Sequence, residues 1–349
     1  QTNGLADDVR GILLGHDVPG YFVRADGMNQ AIASQLQYLE APGFESWNPL
    51  SGHVPPARPT GATLGGRRLA ARIDGADLDA SLALIDRAET LLAEGLGDGE
   101  AATIWLDAVT PGGLYAVYEQ QWLAWAENAR HSALRLPLVA TAPTDPPTEV
   151  RFEQISNDGF FLGWRADEPP AGFFAEPAGA RVLAMQMTPD VATGPTLRDA
   201  QDAAWVAGAL SAGYASTVGA SRPTSLSALP SIDRFFTALR AGWTVCEAWH
   251  VSTPVLRSGL FFVGDPLMSV ALPRAGWNLY GPFAEGSPVA WDAPALRLCQ
   301  GTRSIDLPTE FQPAGDGPVY FVLRHVDEAG REDGGVKTLR LCPSGQAWV

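Results

Sequence analysis

The sequence predicts an α/β protein: a mostly parallel sheet with helices on both faces, followed by a small C-terminal antiparallel β module. Three observations carry this. Short apolar runs alternate with amphipathic stretches as far as about residue 270, and such alternation implies crossovers between parallel strands. Several runs, among them Leu260-Phe-Phe-Val263, lack polar alternation, as strands buried on both faces do. After Pro273 the helical period disappears and turn signals such as Gly315-Asp-Gly317 and Gly334-Gly335 take over. The expected domains are 1–273 (α/β) and 274–349 (a β-sandwich-like module).

Taken in order, residues 9–15 form a strand closed by turn chemistry between Asp17 and Gly20. Asn29 to Leu39 has helical spacing, and 41–66 is a Pro- and Gly-rich loop. Leu69 to Ile73 is a strand ending in Asp74-Gly75. Leu78 to Glu94 is an amphipathic helix on which Leu78, Leu82, Ile85 and Leu92 share one face, with Gly95 as its stop. Thr103 to Asp107 is a strand, Leu114 to Leu134 a long helix rich in Trp and Tyr, and Leu136 to Ala142 a strand before a Pro-rich link. Gly159 to Trp164 and Arg181 to Met187 are strands; Ala200 to Ser211 is a helix leading into the strand Tyr214 to Gly219. Ile232 to His250 is helical with Gly242 interrupting it, and Leu260 to Gly264 ends the series. In the module, Ala295 to Cys299, Val319 to His325 and Val336 to Cys342 are strands.

The chain has 349 residues and a formal net charge of -15. That balance opposes nucleic-acid binding, which needs basic stripes to displace counterions, and opposes docking on anionic membranes. No apolar run reaches the roughly 20 residues that span a bilayer. The start, Gln1-Thr-Asn-Gly4, shows no secretory signal, and a processed N-terminus reads the same way. Cys-x-x-Cys, His-Glu-x-x-His, phosphate-loop and Gly-x-Ser-x-Gly patterns are absent from the sequence, so neither a metal site nor a cofactor is expected.

In an open parallel sheet, ligands bind at the carboxyl ends of the strands. The side chains expected there are His16 and Asp17, Asp74, Asp107, Trp164 with Arg165 and Asp167, Thr188 with Asp190, and Asp265. Carboxylates so placed suit a divalent cation or acid–base work. They equally suit helix caps and turns, and Gly264-Asp-Pro266 is itself a turn signature. Cys246 and His250 lie four apart on one helical face, either a dyad or packing residues. Cys299 and Cys342 end two similar runs, Leu296-Arg-Leu298 and Leu339-Arg-Leu341. They are either a cross-strand disulfide, which implies an oxidising compartment, or two unpaired thiols. Trp47, Trp164, Trp277 and Trp291 fall in loops, where they suit the wall of a sugar or peptide groove, while most other Trp residues read as core.

Five pieces carry a family resemblance: Gly11-Ile-Leu-Leu-Gly15 with Val18-Pro19; Trp47-Asn-Pro49; Ala71-Arg-Ile-Asp-Gly75 with the helix after it; Gly163-Trp-Arg-Ala-Asp167; and Gly213-Tyr214 to Ala220 through Phe235-Phe236, Cys246-Glu-Ala248 and Gly264-Asp-Pro-Leu267. Over roughly residues 9–270 the chain resembles an uncharacterised group of secreted bacterial proteins whose core is similar to the caspase and gingipain fold. In active peptidases of that fold a His-Gly pair follows one strand and a Cys follows the next. The resemblance puts the His position at Trp164 and the Cys position within Met187-Thr-Pro-Asp190. An indole accepts no proton from a nucleophile, and a thioether is no thiolate. Separately, Tyr320 to Gly330 resembles the late hairpin of fibronectin-type or immunoglobulin-like modules.

The resemblance thus implies a catalytically degenerate protein, without catalytic residues, that acts in binding, surface attachment or assembly outside the cytoplasm. Its expected partner is a protein or a surface, and an oligomer is compatible with it. The alternative is a hydrolase, peptidase-like or metal-assisted, working through the strand-end carboxylates.

Overall fold

The computed structural model describes residues 11–15, 18, 21–23, 29–31, 69–96, 104–107, 120–121, 124–125, 138–141, 159–163, 181–186, 205–220, 228–255, 259–272, 276–292, 294–299, 311, 317–327, 331–342 and 347–348. The strands of its first part are β1 (Gly11–Leu14), β2 (Tyr21–Val23), β3 (Asn29–Ala31), β4 (Leu69–Arg72), β5 (Ile104–Asp107), β6 (Leu138–Thr141), β7 (Phe160–Gly163), β8 (Leu183–Gln186), β9 (Ser216–Ala220) and β10 (Leu260–Gly264). The helices are α1 (Leu78–Glu94), α2 (Trp205–Ser211), α3 (Ile232–Arg240) and α4 (Val245–Ser252).

Eight strands form one sheet in the order β1-β4-β10-β9-β8-β7-β5-β6. All eight runs expected as its strands are in it. Strands β5 to β9 run parallel to one another. β10 is antiparallel to β9 but parallel to β4, which is parallel to β1. The sheet is therefore mostly parallel, and its polarity reverses once, at the seam between β9 and β10. β9 and β10 are buried throughout, which accounts for their unbroken apolar or small-residue runs. Phe160 from β7 packs against Phe235 and Phe236 of α3, and Trp125 stacks on Phe236 at 5.1 Å.

Helix boundaries follow local chemistry. Asp77 caps α1 by accepting from the Ala80 amide at 2.7 Å, and Gly95 ends it at φ +67°. The expected helix 232–250 is two helices: the chain turns at Gly242, φ +82°, where a left-handed residue is cheapest as glycine. α4 then restarts with a reciprocal capping box between Thr244 and Glu247.

Two expectations are corrected. Asn29 opens a strand, not a helix: Asn29–Ala31 pairs with Tyr21–Val23 as an antiparallel ribbon, so hairpin pairing prevails over weak helical spacing, and residues 32–39 lie outside the described residues. In α1 the buried side is not the leucine face. Ser81, Leu84, Ala88 and Leu91 face the core, while Leu78, Leu82 and Leu92 face outward. Arg87 fixes the helix's rotation by donating to the Leu210 and Tyr214 carbonyls, each at 2.9 Å.

The C-terminal part is an antiparallel sheet of β11 (Gly276–Phe283), β12 (Leu296–Cys299), β13 (Val319–Val326), β14 (Lys337–Leu341) and β15 (Ala347–Trp348), in the order β12-β11-β13-β14-β15. Among the described residues this is one sheet, whereas a sandwich packs two. Its interior strand β11 escaped the sequence reading. Gly281-Pro282 and a register shift between Tyr280 and Phe283 interrupt it, and Pro within a run argues against an interior strand except at such an irregularity.

Candidate functional site

The ladder aligns the carboxyl ends of four neighbouring parallel strands. Asp107 of β5 registers with Thr141 of β6 on one side and Gly163 of β7 on the other, and Gly163 registers with Gln186 of β8. From β5 the chain goes to β6 on one side, and then to β7 on the other. That is a topological switch point, the place where an open α/β sheet leaves a crevice for a ligand. Asp107 stands on this rim. Trp164, Arg165, Asp167, Thr188 and Asp190, also expected at it, lie outside the described residues, as do His16 and Asp17.

The seam at β9/β10 divides the expected cleft. Because β4 and β10 run opposite to β5, Asp74 and Asp265, which follow them, sit at the other end of the sheet from Asp107. One constellation of strand-end carboxylates drawn from all of these strands is therefore corrected to two separate rims. The sequence reading set all of these residues at one rim of a mostly parallel sheet, and nothing local to β10 betrays its reversal.

The described carboxylates at the Asp74 rim have structural work. Asp74 is fully buried and ion-paired with Arg72, and its Oδ1 accepts from the Gly75 amide at 3.1 Å. Arg72 also donates to the Val18 carbonyl at 2.6 Å. Asp265 closes a turn, its Oδ1 accepting from the Leu267 amide at 2.8 Å. This is the turn that Gly264-Asp-Pro266 foretells.

Cys246 and His250 are both buried on α4. His250 Nε2 accepts from the Ala70 amide of β4 at 3.4 Å, and its ring lies 4.5 Å from that of Trp249. An imidazole whose Nε2 is held by a backbone donor inside the core is a packing element, not a base open to substrate.

The disulfide reading is also corrected. Cys299 pairs with Gly276, which registers with Val326; Cys342 follows Leu341, which registers with Val319. The two cysteines thus stand at opposite corners of the sheet. Three strand spacings across it are roughly 14 Å, and the run from Val326 to Val319 adds about 23 Å along it, against a limit of about 7 Å for a disulfide. Cys342 is a free, half-buried thiol.

A polar cluster that sequence reasoning missed lies on β11 and β13. Glu332, bridged to Val326, accepts hydrogen bonds from Asn278 Nδ2, from the Tyr280 hydroxyl, and from Arg324 Nη1 at 2.9 Å. The Arg324 guanidinium lies 4.3 Å from the Trp291 ring centroid, and Tyr280 meets Trp291 edge-on at 5.1 Å. Burial alone pushes the Glu332 carboxyl up, but the three donors and the guanidinium charge outweigh it, and the net shift is downward. Burial, then the hydrogen bond to Glu332 and its charge, hold the Tyr280 phenol above its ordinary value. Had β11 been recognised, its alternation would have set Asn278 and Tyr280 on one face. Among the described residues, no group of three or more His, Cys, Asp or Glu is placed to hold a metal ion. No helix there is long and apolar enough to cross a membrane.

No family model matches the chain, and no curated protein matches it. It is similar to a solved protein described as "Structure of Protease", with a TM-score of 0.40 and 8% identity over 80% of this chain and 73% of that one. At that level of likeness no residue role transfers from one chain to the other.

Proposed function

We propose that this chain is a catalytically degenerate protein of caspase-like architecture that binds or assembles with a partner outside the cytoplasm. The reversal of strand direction between β9 and β10 carries this reading, because it keeps Asp74 and Asp265 away from Asp107. Asp74 and Asp265 are committed to an ion pair and a turn. The motif resemblance supports it from the other side, since it puts the His position of an active peptidase of that fold at Trp164 and the Cys position within Met187-Thr-Pro-Asp190, which holds no Cys.

A second reading, a hydrolase working through strand-end carboxylates, draws on the position of Asp107 at the switch point. One assay separates the two. The full chain is incubated with a pool of fluorogenic peptides, with and without Mg²⁺, Ca²⁺ or Zn²⁺, and with a thiol-directed peptidyl probe read by intact mass. The binding reading expects no turnover above buffer and, in the folded protein, no adduct on buried Cys246. Turnover that Asp107→Asn removes establishes the hydrolase instead, and an adduct on Cys246 in the folded state overturns both.

A further inference from the structure

Helix α1 turns three of its five leucines away from its own core. Leu78, Leu82 and Leu92 are 57%, 49% and 70% exposed, and half-buried Ile85 lies between them on the same stripe. From Leu78 to Leu92 is about four turns, roughly 21 Å; Leu78, Leu82 and Ile85 have the i, i+4, i+7 spacing that a second helix packs against, and exposed Glu89 sits on the same line between Ile85 and Leu92. We propose that this stripe docks a cationic amphipathic helix of a protein partner.

Charge selects the occupant. Asp79, Asp86, Glu89 and Glu94 are exposed along α1. Arg87, the helix's one basic residue, is turned inward onto two carbonyls. The last turn holds no basic side chain, so the negative end of the helix dipole is left uncompensated. A second copy would set these acids against themselves on a chain of net charge -15, and an anionic membrane would be repelled for the same reason. A helix with leucines on one face and Lys or Arg beside them satisfies both the stripe and the acids. This inference does not depend on whether the scaffold also carries chemistry.

The test uses the full chain and two synthetic 18-residue peptides sharing one leucine stripe, with Lys at the polar positions of the first and Glu at those of the second. By titration calorimetry the Lys peptide is expected to bind at least about tenfold more tightly than the Glu peptide. Leu82→Glu with Leu92→Glu should cut that affinity by about tenfold or more without moving Tm. Asp86→Lys with Glu89→Lys should reverse the preference between peptides. Equal binding of the two peptides, or a preference that survives the charge reversal, overturns the proposal. So does a fall in Tm of the leucine variant, which would mean the stripe is covered by this chain's own residues. Self-association abolished by the leucine changes would assign the stripe to a second copy and overturn it too.

Discussion

The Arg72 guanidinium and the Asp74 carboxylate face each other at the end of β4, both inside the protein, with 1% and 0% of their side chains exposed. A buried pair of this kind adds little net stability, but breaking it strands a charge in a poor dielectric. Asp74→Asn is therefore expected to destabilise by about 3–5 kcal/mol, read as a lowered urea midpoint at unchanged slope. Replacing both, Arg72→Met with Asp74→Leu, should cost far less. If the single change were as mild as the double, the pair would not be buried as described.

The Glu332 cluster makes stability depend on pH at both ends of the scale. Glu332 has its folded pKa lowered, so its contribution is present above its ordinary unfolded value of about 4.3 and is lost as pH falls through the folded one. Tyr280 has its folded pKa raised; its contribution is present below about 10 and is lost as pH rises beyond. Melting curves from pH 2 to 7, followed by tryptophan fluorescence, should show a shallower acid limb in Glu332→Gln than in the unaltered protein. Superimposable acid limbs would refute the assignment.

Gly264 sits at φ +140°, and a Cβ there would lie 2.6 Å from Ser216 Cβ and 2.9 Å from the Ala215 carbonyl oxygen. Gly264→Ala must then part β9 from β10, and a loss of about 2–4 kcal/mol is expected. Gly242→Ala, also at positive φ but with open space around it, should lose only about 1–2 kcal/mol. Chemical denaturation of the two variants side by side measures the difference.

The cysteines give a direct chemical check. In the folded protein Cys342 should be alkylated by iodoacetamide, while Cys246, buried on α4, reacts only after unfolding. A non-reducing peptide map should contain no Cys299–Cys342 crosslink. Finding that crosslink would contradict the ladder that sets them at opposite corners.

Much of this architecture was legible in the sequence because burial on both faces writes itself as uninterrupted apolar runs. Leu260-Phe-Phe-Val263 and Val182-Leu-Ala-Met185 were visible for that reason, and Gly95 marked the end of α1 to the residue. Strand direction leaves no such trace: an all-apolar strand looks alike whichever way it points, so the reversal of β10 was hidden, and with it the separation of Asp74 from Asp107. Rotation of α1 was misjudged for a related reason. Hydrophobicity favoured the leucines, whereas Ser81 and Ala88 meet the core and Arg87 supplies the anchor. β11 went unseen because Gly281-Pro282 breaks its alternation, and the Glu332 cluster, built on that strand, went unseen with it.

The ladder joining β4 to β10 has one registered residue pair, Arg72 with Val263, where β1 against β4 has four. Backbone pairing across that line is thin, so packing holds the Gly11–Leu14 and Leu69–Arg72 pair to the rest of the sheet: Ala70 and Ala71 are fully buried, and the Ala70 amide donates to His250 of α4 at 3.4 Å. His250→Ala should accordingly speed deuterium exchange at the Ala70 and Ala71 amides more than at those of Phe261 and Phe262, which the β9 ladder holds.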